Sequence, residues 1–230
     1  MICHPRSMCH SLHSAHTPSE KQEMNPSILL LPGIGNSGPG HWQTIWAQTD
    51  ASMESIGGQD WNRPVCTKWV ENLEAAISRA GPDIVLVAHS LGCLQVAHWA
   101  QCSRTLVRAA LLVAVPDPDR STFPNEARGF SPLGLKRFAF PSTVVASCND
   151  PYADMDYSQR CAEAWGSSLV NIGHQGHINS ASRLGDWPQG RALLEALVGT
   201  SVSPVPDVRS TVHDAKEKNS LHCLQGKPNE

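Results

Sequence analysis

Residues 84–92 read Ile-Val-Leu-Val-Ala-His-Ser-Leu-Gly, and no other stretch narrows the fold as much. Ile84, Val85, Leu86 and Val87 follow one another without the apolar–polar alternation of a half-exposed strand. A strand of that kind is buried on both faces, as in a parallel sheet covered by helices on either side. The pattern recurs in Ile28–Leu31, which ends at Pro32-Gly33, and in Ala109–Val115, Thr143–Ala146 and Ser168–Ile172; Met53–Gly57 is a weaker strand. Between them, amphipathic stretches predict helices. One begins after Pro64 and runs through Asn72–Ala80 with Val70, Leu73, Ala76 and Ile77 on its apolar side; others cover Leu91–Ala100, Tyr157–Trp165 and Arg191–Val198. About six strands separated mostly by helices predict an α/β fold, a doubly wound and mostly parallel sheet.

The folded part is expected to span Pro26 to Thr200, with a disordered leader at 1–25 and a disordered tail at 201–230. Met24 directly precedes the first folded segment, so translation could start there. Cys3, His4, Cys9, His10, His13 and His16 would suit zinc, but no second ligand pair at finger-like spacing follows, and the leader reading is preferred. Over the whole chain 40% of residues are hydrophobic and 17% charged, a globular composition. Eighteen basic against 21 acidic residues, without blocks of either sign, argue against a nucleic-acid or membrane-surface partner. No apolar run approaches the roughly 20 residues that span a bilayer. The eight cysteines show no repeating spacing and the N-terminus lacks a signal-peptide core, which points to reduced thiols and a cytoplasmic location.

The turn at Ser90 carries the chemistry. Ala88-His89-Ser90-Leu91-Gly92 matches small-x-Ser-x-Gly between a strand and a helix. Such a sharp turn strains the backbone and lifts the serine Oγ above the sheet, and small residues on both sides let strand and helix approach. The helix N-terminus favours an oxyanion, with the Leu91 amide as one donor. The competing reading is a serine that only caps a helix.

A nucleophilic serine needs a base and an orienting acid, in the chain order Ser, Asp, His. Asp150 follows the strand Thr143–Ala146 and precedes Pro151, at the carboxyl edge of the sheet; Asp154 and Asp156 are explained by helix capping. The next strand runs into Gly173-His174-Gln175-Gly176-His177-Ile178-Asn179, and His177 is preferred over His174 as base. A second oxyanion donor is expected from the loop after the first strand, where four glycines fall between 33 and 40. Ile34 is the first choice and Gly35 the next. A phosphate loop would need Gly-Lys-Ser/Thr, which is missing. If the first and third strands are neighbours, this loop and Ser90 flank the point where strand order reverses, the usual ligand site of such sheets.

Taken together, Leu30–Ser37 with His41-Trp42-Gln43, Asp60-Trp61 with Pro64, Val87–Gly92, Phe140-Pro141-Ser142, Ser147 with Asn149–Tyr152, Trp165-Gly166-Ser167, and Gly176–Asn179 resemble the YdeN-like group of small α/β-hydrolases, related to the vertebrate retinoblastoma-binding serine hydrolase. The resemblance covers about residues 26–200. It implies a compact sheet without a large cap, consistent with only 24 residues at 117–140 where larger relatives insert one, and a triad of Ser90, Asp150 and His177. Ala88 departs from the usual elbow glycine. The vertebrate relative's Leu-x-Cys-x-Glu motif is also altered: Leu91–Gln95 and Leu221–Gln225 both end in glutamine, so binding of a pocket protein is not carried over.

Most of the seven tryptophans are expected in the core, with Trp42, Trp61 and His89 as candidate pocket walls. Cys93 reads as a small buried hydrophobe. The sequence therefore predicts a serine hydrolase that cleaves a small ester, thioester or amide, with no cofactor or metal, a small-molecule substrate and no identifiable partner protein. The rival reading is a non-catalytic binding module on the same fold.

Overall fold

The computed structural model describes residues 27–200; the expected leader and tail, with Cys3, Cys9, Cys223 and the N-terminal histidines, lie outside them. In chain order the elements are β1 (Ile28–Leu31), α1 (Trp42–Thr49), β2 (Met53–Ser55), α2 (Cys66–Ala80), β3 (Val85–His89), α3 (Leu91–Cys102), β4 (Ala109–Val113), β5 (Ser142–Ala146), α4 (Met155–Trp165), β6 (Ser168–Asn171) and α5 (Pro188–Thr200). The six strands form one sheet in the order β2-β1-β3-β4-β5-β6, and every pairing is parallel.

The missing alternation in the strands now has its cause. Leu86 and Ala88 of β3 pack with α2, α3 and α4 on one face, whereas Val85 and Val87 pack with α1 and α5 on the other. Both faces are apolar because both are covered. Full burial of one such aliphatic side chain is worth roughly 1.5–3 kcal/mol, so the central strands are mainly aliphatic, with buried polar residues at His89 in β3 and at Ser142 and Thr143 in β5. The edge strands β2 and β6 are partly exposed. Six tryptophans (42, 46, 69, 99, 165 and 187) are buried, and Trp61 is half-buried against Trp69. Gln95 and Cys93 are fully buried on α3, so the glutamine-ended motif there is inaccessible.

Helix α1 is an addition to the sequence reading, which assigns no helix between the glycine loop and Met53. Trp42 and Trp46 supply one apolar face, and the Gln43 amide donates to His41 Nδ1 (3.2 Å) at the helix start. A histidine performs the capping that Ser, Thr, Asp or Asn usually provides. Helix α5 starts at Pro188, three residues before the expected Arg191, since proline suits the first helical position. Residues 114–141 carry no helix or strand beyond an isolated bridge between Val65 and Arg128, so no cap subdomain is present there. No helix among the described residues is long and apolar enough to cross a membrane.

Candidate active site

Strand β1 lies between β2 and β3, so the strand order reverses at the β1–β3 pair, and the loops leaving both strands meet above it. Ser90 sits in the turn from β3 to α3 with φ 53° and ψ −123°, a conformation costing a non-glycine residue on the order of 1–3 kcal/mol. Its amide donates to Val113 O (3.0 Å) and its carbonyl accepts from the Cys93 amide (2.8 Å), which fixes the turn between β4 and α3. The side chain makes no capping bond to α3. Instead Ser90 Oγ lies 2.7 Å from His177 Nε2.

His177 lies on the loop after β6, and its Nδ1 is 2.9 Å from both carboxylate oxygens of Asp150. With Nδ1–H donating to the carboxylate, Nε2 is left to accept the Ser90 hydroxyl proton. Both side chains are buried. Asp150 stands in the turn after β5, where Oδ1 also accepts from the Tyr152 amide (2.9 Å). Two further bonds lace this turn to the His177 loop: the Gln175 amide donates to Ser147 Oγ (2.9 Å) and the Gly176 amide to Asn149 Oδ1 (2.8 Å). The sequence carried these partners in plain sight, next to Asp150, but strand-end reasoning alone assigns them no role. His174 is exposed and outside the cluster. Asp154 caps α4 by accepting from the Tyr157 amide, and Asp156 lies in that helix's first turn.

The glycine loop passes close to this centre. A Cβ at Gly33 would stand 2.8 Å from Ser90 Cβ and 3.4 Å from the Leu91 amide nitrogen. Among the described residues no partner takes the Ile34 or Leu91 amide, and both residues line the cavity in front of Ser90. Gly35 is a correction: its amide donates to Trp61 O (2.8 Å) and is not free for an oxyanion.

The cavity has a volume of about 410 Å³. Its apolar wall includes Ile34, Leu91, Pro116, Phe123 and Pro124; Asn36, Tyr152 and the 179–181 segment supply polar groups, and no lining residue is Asp, Glu, Lys or Arg. Trp42 and Trp61 are not on this wall, contrary to expectation. Trp42 turns into the aromatic cluster with Trp46 and Trp187, and Trp61 packs on Trp69 beneath the loop. His89 does line the cavity, beside His41 at 4.7 Å between ring centres. Burial, with the nearby His177 ring, lowers His41 to about 4 and holds His89 well below its ordinary value, so both rings are neutral at pH 7. His41 accepts at Nδ1, so its proton is on Nε2, which is buried without a partner. No group of three or more potential metal ligands occurs among the described residues.

Comparison with known proteins bears on the family and the fold. A model of the family described as "Serine hydrolase" matches residues 28–196. A solved structure described as a YdeN-like hydrolase from Pectobacterium atrosepticum is 26% identical, with a TM-score of 0.68 over 77% of this chain and 92% of that one. The ydeN gene product of B. subtilis is 17% identical (TM-score 0.58, 75% and 98% covered). Est1E from Butyrivibrio proteoclasticus is 14% identical (TM-score 0.56, 80% and 89% covered). Curated proteins yield no match.

Proposed function

Because the chain belongs to the serine hydrolase family, we propose that it cleaves a small uncharged ester, thioester or amide, and that Ser90, His177 and Asp150 are the residues that do so. The observation carrying this reading is the unbroken run of contacts from Ser90 Oγ through His177 Nε2 and Nδ1 to the Asp150 carboxylate.

In this mechanism His177 Nε2 takes the Ser90 proton as Oγ bonds to the substrate carbonyl carbon. Negative charge gathers on the carbonyl oxygen, which the Leu91 and Ile34 amides stabilise. One such donor is typically worth about 10²–10³ in rate. Collapse expels the leaving group, which takes the proton from His177. Water then attacks the acyl-enzyme, gives its proton to His177, and Ser90 leaves with that proton restored. Asp150 holds the ring in the Nδ1–H tautomer and offsets the imidazolium charge.

The absence of fixed charge in the lining supports a neutral substrate, since an anionic one would find no cation to replace its water. A cavity of about 410 Å³ supports a compact acyl group. The expected cytoplasmic location rests on the sequence alone.

A fluorophosphonate tests the reading directly. Wild type should be labelled covalently and should hydrolyse p-nitrophenyl butyrate; Ser90→Ala should do neither. A folded wild type that resists labelling would replace the enzyme by a binding module, and labelling that persists in Ser90→Ala would move the nucleophile elsewhere.

A further inference from the structure

His177 belongs to a loop that its own backbone holds poorly. The Ile178 amide makes one local bond, to Gln175 O at 3.2 Å. Ile178 itself has φ 49°, a left-handed conformation that a β-branched side chain avoids. Ser147 and Asn149 hold the residues before His177 from outside the loop, and two buried side chains hold His177 and Ile178 themselves, at consecutive carbonyls. His89 Nε2 lies 2.9 Å from His177 O, and Trp42 Nε1–H donates to Ile178 O at 2.8 Å. The donors come from rigid elements, the last residue of β3 and the first of α1, while the Ile178 side chain is fully buried beneath them.

We propose that His89 is a positioning residue for the base: covalently next to Ser90, it grips the backbone carbonyl of His177 and so sets the distance between nucleophile and base. The Trp42 bond fixes the following carbonyl and completes the grip. This role rests on the hydrolytic reading above, because only there does the Ser90–His177 distance govern a rate.

The chemistry of the ring agrees. A carbonyl accepts only a donor, so the neutral ring must carry its one proton on Nε2. His41 and His177 flank His89 at 4.7 and 5.0 Å between ring centres. Burial among these rings keeps His89 uncharged, with its protonation shifted well below neutral pH. The sequence reading had made His89 a pocket wall; the structure adds a tie across 88 residues of chain.

The test separates the donor from the bulk of the side chain. His89→Met keeps volume and loses the N–H, whereas His89→Gln keeps an N–H at a similar reach. A misplacement of about 1 Å at a reacting centre costs on the order of 10² in rate. His89→Met should therefore lower kcat on p-nitrophenyl butyrate by that factor with KM little changed, and His89→Gln should restore most of it. A kcat near wild type in His89→Met, or equal loss in both folded variants, would overturn the proposal. Long-range ¹H–¹⁵N correlations on the wild type supply a readout independent of any variant's folding and of turnover. They should show His89 as the neutral Nε2–H tautomer across the neutral range. An Nδ1–H tautomer would sink the proposal, and if the wild type resists fluorophosphonate, these spectra judge the His89 bond while the hydrolytic reading falls by itself.

Discussion

Gly92 lies so close to β1 that a Cβ built on it would stand 2.3 Å from the carbonyl oxygen of Leu31, with Pro32 O at 2.9 Å. Both obstacles are backbone, and Leu31 is paired in the sheet with Ala88 of the elbow strand. The helix can therefore accept a side chain there only by leaving the strand.

Gly92→Ala should lower the urea midpoint, the lost stability exceeding the roughly 1–3 kcal/mol usual for overpacking a core, since backbone yields less than a rotamer. Gly38→Ala, in the nearby glycine loop with nothing within 4 Å, should be almost silent. Equal midpoints for the two variants would mean that strand and helix part freely.

Gly33→Ala probes the same approach from the other side. Its Cβ would press on Ser90 Cβ at 2.8 Å, which moves only with the elbow backbone, and on Oγ at 3.2 Å, which can rotate away. The expected result is a lowered thermal midpoint together with a large loss of kcat, about 10² if the nucleophile shifts by 1 Å. Intact turnover would show that the loop retreats instead of the serine.

Asp150→Asn should cost on the order of 10⁴ in kcat by favouring the wrong tautomer of His177, as in the serine-protease precedent. His177→Ala should abolish acylation. Exposed His174 can be changed to Ala with little effect on labelling, and Asp154→Asn should retain both capping and activity because asparagine caps as well as aspartate. A crippled Asp154→Asn or His174→Ala enzyme would reassign the acid or the base.

Stability should fall on acidification well before the carboxylates titrate. The His41 ring titrates near 6.5 when unfolded and at about 4 when folded, chiefly because it is buried. Between those values the unfolded chain binds a proton that the folded chain refuses, so stability is highest above pH 7 and declines towards pH 4. His41 alone accounts for about 3 kcal/mol of that decline, and His89 acts in the same direction. His41→Asn keeps the helix cap and removes the titrating ring, so urea midpoints measured from pH 7 to 4.5 should decline less steeply. An unchanged slope would place the acid sensitivity elsewhere.

The strands were legible because burial on both faces leaves an unbroken aliphatic run, as at Ile84–Val87, that little else produces. Ser90, Asp150 and His177, which the structure brings into contact, were legible as polar residues where such runs end. The pocket walls were not. Whether Trp42 faces cavity or core depends on the rotational phase of α1, a helix whose start is marked by a histidine cap and hidden behind four glycines. Phe123 and Pro124 reach the cavity from a stretch without periodicity, so no pattern announced them. Gly35 failed as a donor for a reason only tertiary contact supplies, the Trp61 carbonyl that takes its amide.

The Ser90–His177 bond joins residues 87 apart in sequence, and β4, β5 and β6 all lie between them in the chain and follow β3 across the sheet. Parallel neighbours cannot form by local hairpins; each waits for a crossover. On the hydrolytic reading proposed above, the serine lacks its base until the last strand has docked, and its hydroxyl is then an ordinary one. The proposed chemistry would thus be withheld from nascent or misassembled molecules, and reactivity towards bystander esters would appear only in chains that have finished folding.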